Sequence, residues 1–88
     1  MKKSKITGIG YHVPEHVVTN HDLIDLMDTS DEWIKTRSGI EERRWVQGDE
    51  AASDLAIPAT KQALEAAGLS VEDIDFMIFA TSTPDYYI

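Results

Sequence analysis

An indole and a guanidinium stand four residues apart at Trp33 and Arg37. On any helix that carries them they share a face, with Cβ atoms about 5–6 Å apart. Two chemistries fit such a pair. A surface cation–π contact would staple a weak helix together. Alternatively, the indole stacks on a flat heteroaromatic ring such as adenine while the forked guanidinium grips phosphate. Spacing alone favours the staple. The surrounding stretch "TSDEWIKTRSG", residues 29–39, carries start and stop signals for one short helix. Thr29 is placed to cap it, with Glu32 three residues on to complete a capping box. Asp31 and Glu32 suit the positive helix start, and Gly39 suits a left-handed terminator. Two turns do not persist in water unaided, so the rest of the fold must hold this element.

Other chemistry-bearing residues are weaker candidates. Lys35, Arg37, Arg43 and Arg44 fall within ten positions, which allows a local anion site on a chain of net charge -8. That acidity, 16 acidic against 8 basic side chains, argues against generic binding to nucleic acid or anionic membrane. His12 and His16 have helical spacing, but Pro14 between them breaks the helix a metal pair would need. With His21 they read as exposed connector residues, and no metal site is assigned. "GIGYHV" lacks the third glycine of a dinucleotide fingerprint, and Pro14 stops a helix from opening there. Gly8 and Gly10 instead suit the close approach of another backbone. Ser53 and Ser82 have no nucleophile-elbow context. Ser53 reads as helix N-terminus chemistry and Asp85 as a turn residue. The chain has no cysteine, which removes disulfides, thiolate zinc sites and a cysteine nucleophile from these residues. No catalytic residue is assigned.

The elements that must position these groups follow from pattern. "KITGIGYHVP" alternates and stops at Pro14, which predicts a first strand over residues 5–13. "EHVV" reads as a connector. "TNHDLIDLM" opens a helix capped by Thr19 with Asp22, or by Asn20 alone, with Leu23, Ile24 and Met27 as its apolar stripe. "IEERRWV" predicts a short, partly exposed strand. Residues 49–68 form the longest helix, with Ala52, Leu55, Ala56, Ala59, Ala63, Ala66 and Ala67 on one face and Gly68 as its end. Pro58 should kink that helix or delay its start. "SVEDI" makes a turn, and "DFMIFATS" reads as a strand buried on both faces.

The order is α/β, and its long connections favour parallel neighbours. The apolar fraction, 42%, is that of a globular chain, and a doubly buried strand needs neighbours that 88 residues barely supply. The expectation is a piece of a larger domain. No run approaches the roughly 18 apolar residues of a membrane span. "MKKSK" is followed by no apolar core of a signal peptide, so the simplest location is cytoplasmic.

One motif goes further. "DTSDEWIKTRSGIEERR", preceded by "VPEHVVTNHDL" and followed by "SDLA" and "ATSTPD", closely resembles the N-terminal part of β-ketoacyl-acyl carrier protein synthase III, the initiating condensing enzyme of bacterial fatty-acid synthesis. The resemblance covers essentially the whole chain. It implies the N-terminal segment, residues 1–88, of the first half of a thiolase-like layered α/β fold, with an incomplete five-stranded mixed sheet, covering helices and a homodimer as the full protein. It implies an acyltransferase that takes an acyl group, commonly acetyl, from acyl-CoA and condenses it with malonyl-acyl carrier protein. The coenzyme A thioester is the substrate and no separate cofactor is expected. The family's Cys, His and Asn lie downstream of the matched region, so this segment alone should be inactive. Trp33 matches the tryptophan that stacks on adenine, Arg37 an arginine at the nucleotide and phosphate end, and Thr29 a threonine at the same moiety. Ile88 falls near the dimer interface and acyl pocket. Two alternatives stand beside this: a thiolase-fold relative serving polyketide or signalling-molecule synthesis, and a non-catalytic nucleotide-binding module.

Overall fold

His16 is where the chain first enters regular structure among the described residues. The computed structural model, which describes residues 2–86, divides into two compact units, one drawn from Met1–His12 and Asp49–Ile88 and the other Val13–Gly48.

In the second unit, strand β1 (His16–Thr19) runs into helix α1 (Asn20–Ile24), and helix α2 (Asp31–Ser38) leads to strand β2 (Glu42–Trp45). Thr19 caps α1 as expected: its hydroxyl accepts from the Asp22 amide at 3.2 Å, and the Asp22 carboxylate accepts from the Thr19 amide at 2.9 Å. The two strands pair antiparallel, from His16 opposite Trp45 to Thr19 opposite Glu42. Val17 and Val18 explain why this segment is extended, since β-branched side chains fit a half-buried pleat. Val18 points inward and is 2% exposed.

Two expectations are corrected here. The segment read as a connector is the first strand, and the sheet among the described residues is antiparallel rather than parallel. The connection contains the two short helices that the pattern predicted. The amides of Leu26 and Met27 both return to the Leu23 carbonyl and close α1 in a turn of its own. The chain then returns so that β2 lies antiparallel beside β1.

The first unit is organised by helix α3 (Ala52–Ala67), the longest element, which ends on Gly68 at φ 71°. It continues unbroken through Pro58. Residues 5–13 form no strand. They lie against α3 with glycines at the points of closest approach: a Cβ on Gly8 would strike the Ala63 carbonyl oxygen, and one on Gly10 the Ala59 carbonyl oxygen. The Tyr11 amide donates to the Gln62 side chain at 2.7 Å, so a helix rather than a strand takes that donor. The two glycines do what their spacing suggested, and the strand reading fails for the same reason. Ala52, Leu55, Ala56, Ala59, Ala63 and Ala67 are half-buried along α3, while Ala66 of the expected face is exposed.

A single 3-10 turn at Val71–Asp73 follows. Residues 75–82 then depart from expectation. They form no strand, and Phe76, Met77 and Ile78 are 80%, 70% and 84% exposed. A strand exists only as a hydrogen-bonded ladder. Among the described residues none lies beside this run, because the sole pairing is β1 with β2.

Candidate functional site

Helix α2 presents the candidate pair. Its N-cap is Ser30, whose hydroxyl accepts from the Trp33 amide at 3.1 Å. This corrects the assignment of Thr29 as cap: the helix begins one residue later, and Glu32 then falls out of capping-box register. Asp31 and Glu32 occupy the first turn as expected, and Gly39 closes the helix at φ 74°, a conformation that only glycine adopts without strain.

Trp33 and Arg37 meet as their spacing requires. The Arg37 Cζ sits 5.4 Å from the centre of the indole ring, within cation–π range. Trp33 remains 56% exposed, an expensive state for an indole that is not fully covered by its own fold. Among the described residues no carboxylate lies within ion-pair distance of Arg37. Its neighbour Lys35 contrasts with it. That ammonium is 3.1 Å from Glu41 and 3.8 Å from Asp31. The hydrogen bond to Glu41, followed by the charge of Asp31, raises its pKa.

Thr29, displaced from the cap, lies with Asp28, Ser30 and Trp33 around a shallow, open depression of about 340 Å³. The structure therefore brings Thr29 and Trp33 to one surface and sets Arg37 on the indole. Ile88 lies outside the described residues. His12, His16 and His21 are all exposed, and His16 meets Trp45 edge-on with ring centres 6.5 Å apart. Among the described residues no group of histidines and carboxylates could hold a metal ion. No helix among them is long and apolar enough to cross a membrane.

The residues that anchor this surface were not legible as such. Asn20 is 1% exposed and both polar atoms of its side-chain amide have partners. Its nitrogen donates to the Asp31 carboxylate and to the Ile40 carbonyl, each at 2.8 Å, and its oxygen accepts from the Arg43 guanidinium at 2.7 Å. Arg43 also donates to the Val18 carbonyl at 3.2 Å, and the Asn20 amide to the Glu41 carbonyl at 3.1 Å. The Asn20 hydrogen bond is the leading reason that the Asp31 pKa is lowered. A signal did exist. Thr19 and Asp22 complete the cap by themselves, which leaves Asn20 with no local task.

No family model matches the chain. It is 60% identical over 80 residues to a β-ketoacyl-acyl-carrier-protein synthase III from Bacillus anthracis, over 91% of this chain and 26% of that protein. It is 53% identical over 87 residues to the synthase III of Clostridium perfringens, over 99% of this chain and 26% of the relative. The chain thus spans about a quarter of the length of the curated relatives it matches. Among solved structures, the synthase III of Thermus thermophilus superposes with a TM-score of 0.80 at 48% identity, covering 94% of this chain and 26% of the other. A priming β-ketosynthase from a polyketide biosynthetic pathway gives 0.76 at 33% identity, covering 91% and 25%. These neighbours place the chain in the thiolase-like fold, as part of an α/β layer.

Proposed function

We propose that this chain, which belongs to the β-ketoacyl-acyl-carrier-protein synthase III family, forms the coenzyme A-recognising N-terminal part of a condensing acyltransferase. The full enzyme joins an acyl-CoA, commonly acetyl-CoA, to malonyl-acyl carrier protein and so begins fatty-acid synthesis. It works in the cytoplasm as a homodimer.

The observation that carries this reading is the exposed Trp33 with Arg37 lying on its ring. An indole stacks on adenine, and a guanidinium with no carboxylate partner among the described residues can meet phosphate. The Thr29 hydroxyl, released from capping, adds a hydrogen-bonding group beside the indole. Ile88 is assigned to the dimer interface and acyl pocket on the resemblance alone. The segment holds no cysteine, so the covalent acyl step belongs to the rest of the enzyme, and the 88-residue chain by itself is inactive.

The polyketide relative supports a second reading, in which the same surface serves a synthase with another acyl substrate. The higher identity to the fatty-acid enzymes favours the first.

The test is Trp33→Ala in the full-length synthase. Base–aromatic stacking contributes about 1–3 kcal/mol, so the KM for acyl-CoA should rise roughly tenfold or more. The kcat should move little, because adenine is remote from the reacting thioester and supplies uniform binding. An unchanged KM with a lowered Tm would make the pair a helix staple and nothing more. Nucleotide binding by a full-length protein without condensation would establish the non-catalytic module.

A further inference from the structure

We infer that Asn20 is a positioning residue for the Trp33–Arg37 surface, acting through Asp31 to fix the pose of α2. This rests on the reading that α2 recognises coenzyme A, and the experiment below separates the two.

Little apolar surface holds α2 in place: Ile34 is its one half-buried apolar side chain. The helix has eight residues, none of them buried, and a helix of that length does not persist on its own propensity. What fixes it is polar. At its first residue, the Asp31 carboxylate accepts from Asn20 at 2.8 Å. The same Asn20 nitrogen reaches the Ile40 carbonyl just beyond the Gly39 terminator. One buried amide therefore ties the entrance of α2 to the chain that leaves it. Arg43, from β2, closes the arrangement by donating to the Asn20 oxygen and to the Val18 carbonyl of β1. Asn20 is the link from the strand pair to the helix.

The geometry of the link reaches the ligand surface directly. Asp31 is two residues before Trp33, and its neighbour Ser30 both caps the helix through the Trp33 amide and lines the depression beside the indole. Loss of the Asn20 tie leaves α2 held by the half-buried Ile34 and by Lys35 with Glu41, an exposed ion pair, which is a weak restraint. The indole then samples several orientations, and stacking geometry is lost before the fold is. A part-buried network centred on a fully buried amide whose polar atoms are all partnered favours one arrangement over several.

The experiment is steady-state kinetics with acyl-CoA on the full-length synthase carrying Asn20→Ala, Asp31→Ala or Asp31→Asn. Asp31→Asn retains a carbonyl oxygen to accept from Asn20, so it is the conservative variant. Asn20→Ala and Asp31→Ala should each raise the KM for acyl-CoA about tenfold with kcat within about twofold, while Asp31→Asn stays within about threefold of wild type. Gly10→Ala, in the other unit, should lower Tm without changing that KM and serves as the control for general destabilisation. If Asn20→Ala does not accumulate as folded protein, the two Asp31 variants make the same comparison. A lowered Tm with wild-type KM in Asp31→Ala, or equal loss in Asp31→Ala and Asp31→Asn, overturns the inference. An unchanged KM in Trp33→Ala overturns the coenzyme A reading itself.

Discussion

The Asp85 carboxylate takes hydrogen bonds from both the amide and the hydroxyl of Ser53, the second residue of α3, with the amide at 3.1 Å. The N-cap position of that helix is Ala51, which has no side-chain acceptor to offer. The first amides of a helix need partners. Asp54 takes the Ala51 amide at 2.9 Å, and a residue 32 positions further along supplies the remainder. The helix start and the loop after the apolar run are thereby joined by a single carboxylate.

That contact has a pH dependence of definite sign. Hydrogen bonds from the Ser53 side chain and backbone hold the Asp85 pKa below its ordinary value of 3.8. The Thr19 amide and hydroxyl do the same for Asp22, and Asn20 for Asp31. Each folded carboxylate binds fewer protons than its unfolded counterpart near that value. The stabilisation is therefore complete above pH 3.8 and is lost as pH falls through the folded pKa values. Urea unfolding measured across that acid range should show this loss, with a smaller slope in Asp85→Asn. Lys35 has the opposite sign: its stabilisation is present below 10.5 and disappears as pH rises through its elevated pKa.

Helix capping separates two adjacent residues. Ser30→Ala should cost about 1 kcal/mol in unfolding free energy, because the Trp33 amide loses its acceptor. Thr29→Ala should change stability by less than about 0.5 kcal/mol, as a surface substitution away from such features. If Thr29 touches ligand, its loss appears only in coenzyme A affinity. Chemical denaturation of both variants, alongside acyl-CoA titration, checks the assignment.

Gly10→Ala should destabilise by about 1–3 kcal/mol, the usual range for overpacking. The added methyl meets the Ala59 carbonyl and the Ala63 amide of α3, backbone atoms that cannot rotate away. Gly48, which has open space around it, is the comparison site. There only the positive φ of 60° opposes a side chain. Equal effects at the two positions would contradict close packing of the N-terminal segment on α3.

The exposed run at residues 76–79 should make the 88-residue chain self-associate. Phe76, Met77 and Ile78 present apolar side chains and unpaired backbone groups together, the combination that templates edge-to-edge pairing. Sedimentation across a concentration series should show association that Ile78→Lys reduces. Monomer behaviour at all concentrations would dispose of this expectation.

Local chemistry decided much of the molecule in advance. The Thr19–Asp22 cap, the Gly39 and Gly68 terminators and the meeting of Trp33 with Arg37 each depend on residues within four positions of one another. Such interactions can be read from spacing because helical geometry is fixed. The Ser30 cap was missed by a single residue, since Thr29 and Ser30 are equally competent and only the backbone conformation chooses between them. Strands were less legible. Residues 5–13 carry an alternating pattern yet give their backbone to α3, and residues 76–79 are apolar enough for a buried strand yet have no ladder to join. A strand's partner is not encoded beside it. The same holds for Asn20, whose amide joins Asp31, Ile40 and Arg43 across 11 to 23 residues. Only folding brings those groups together, and it is folding that turns an ordinary asparagine into the point on which the indole surface rests.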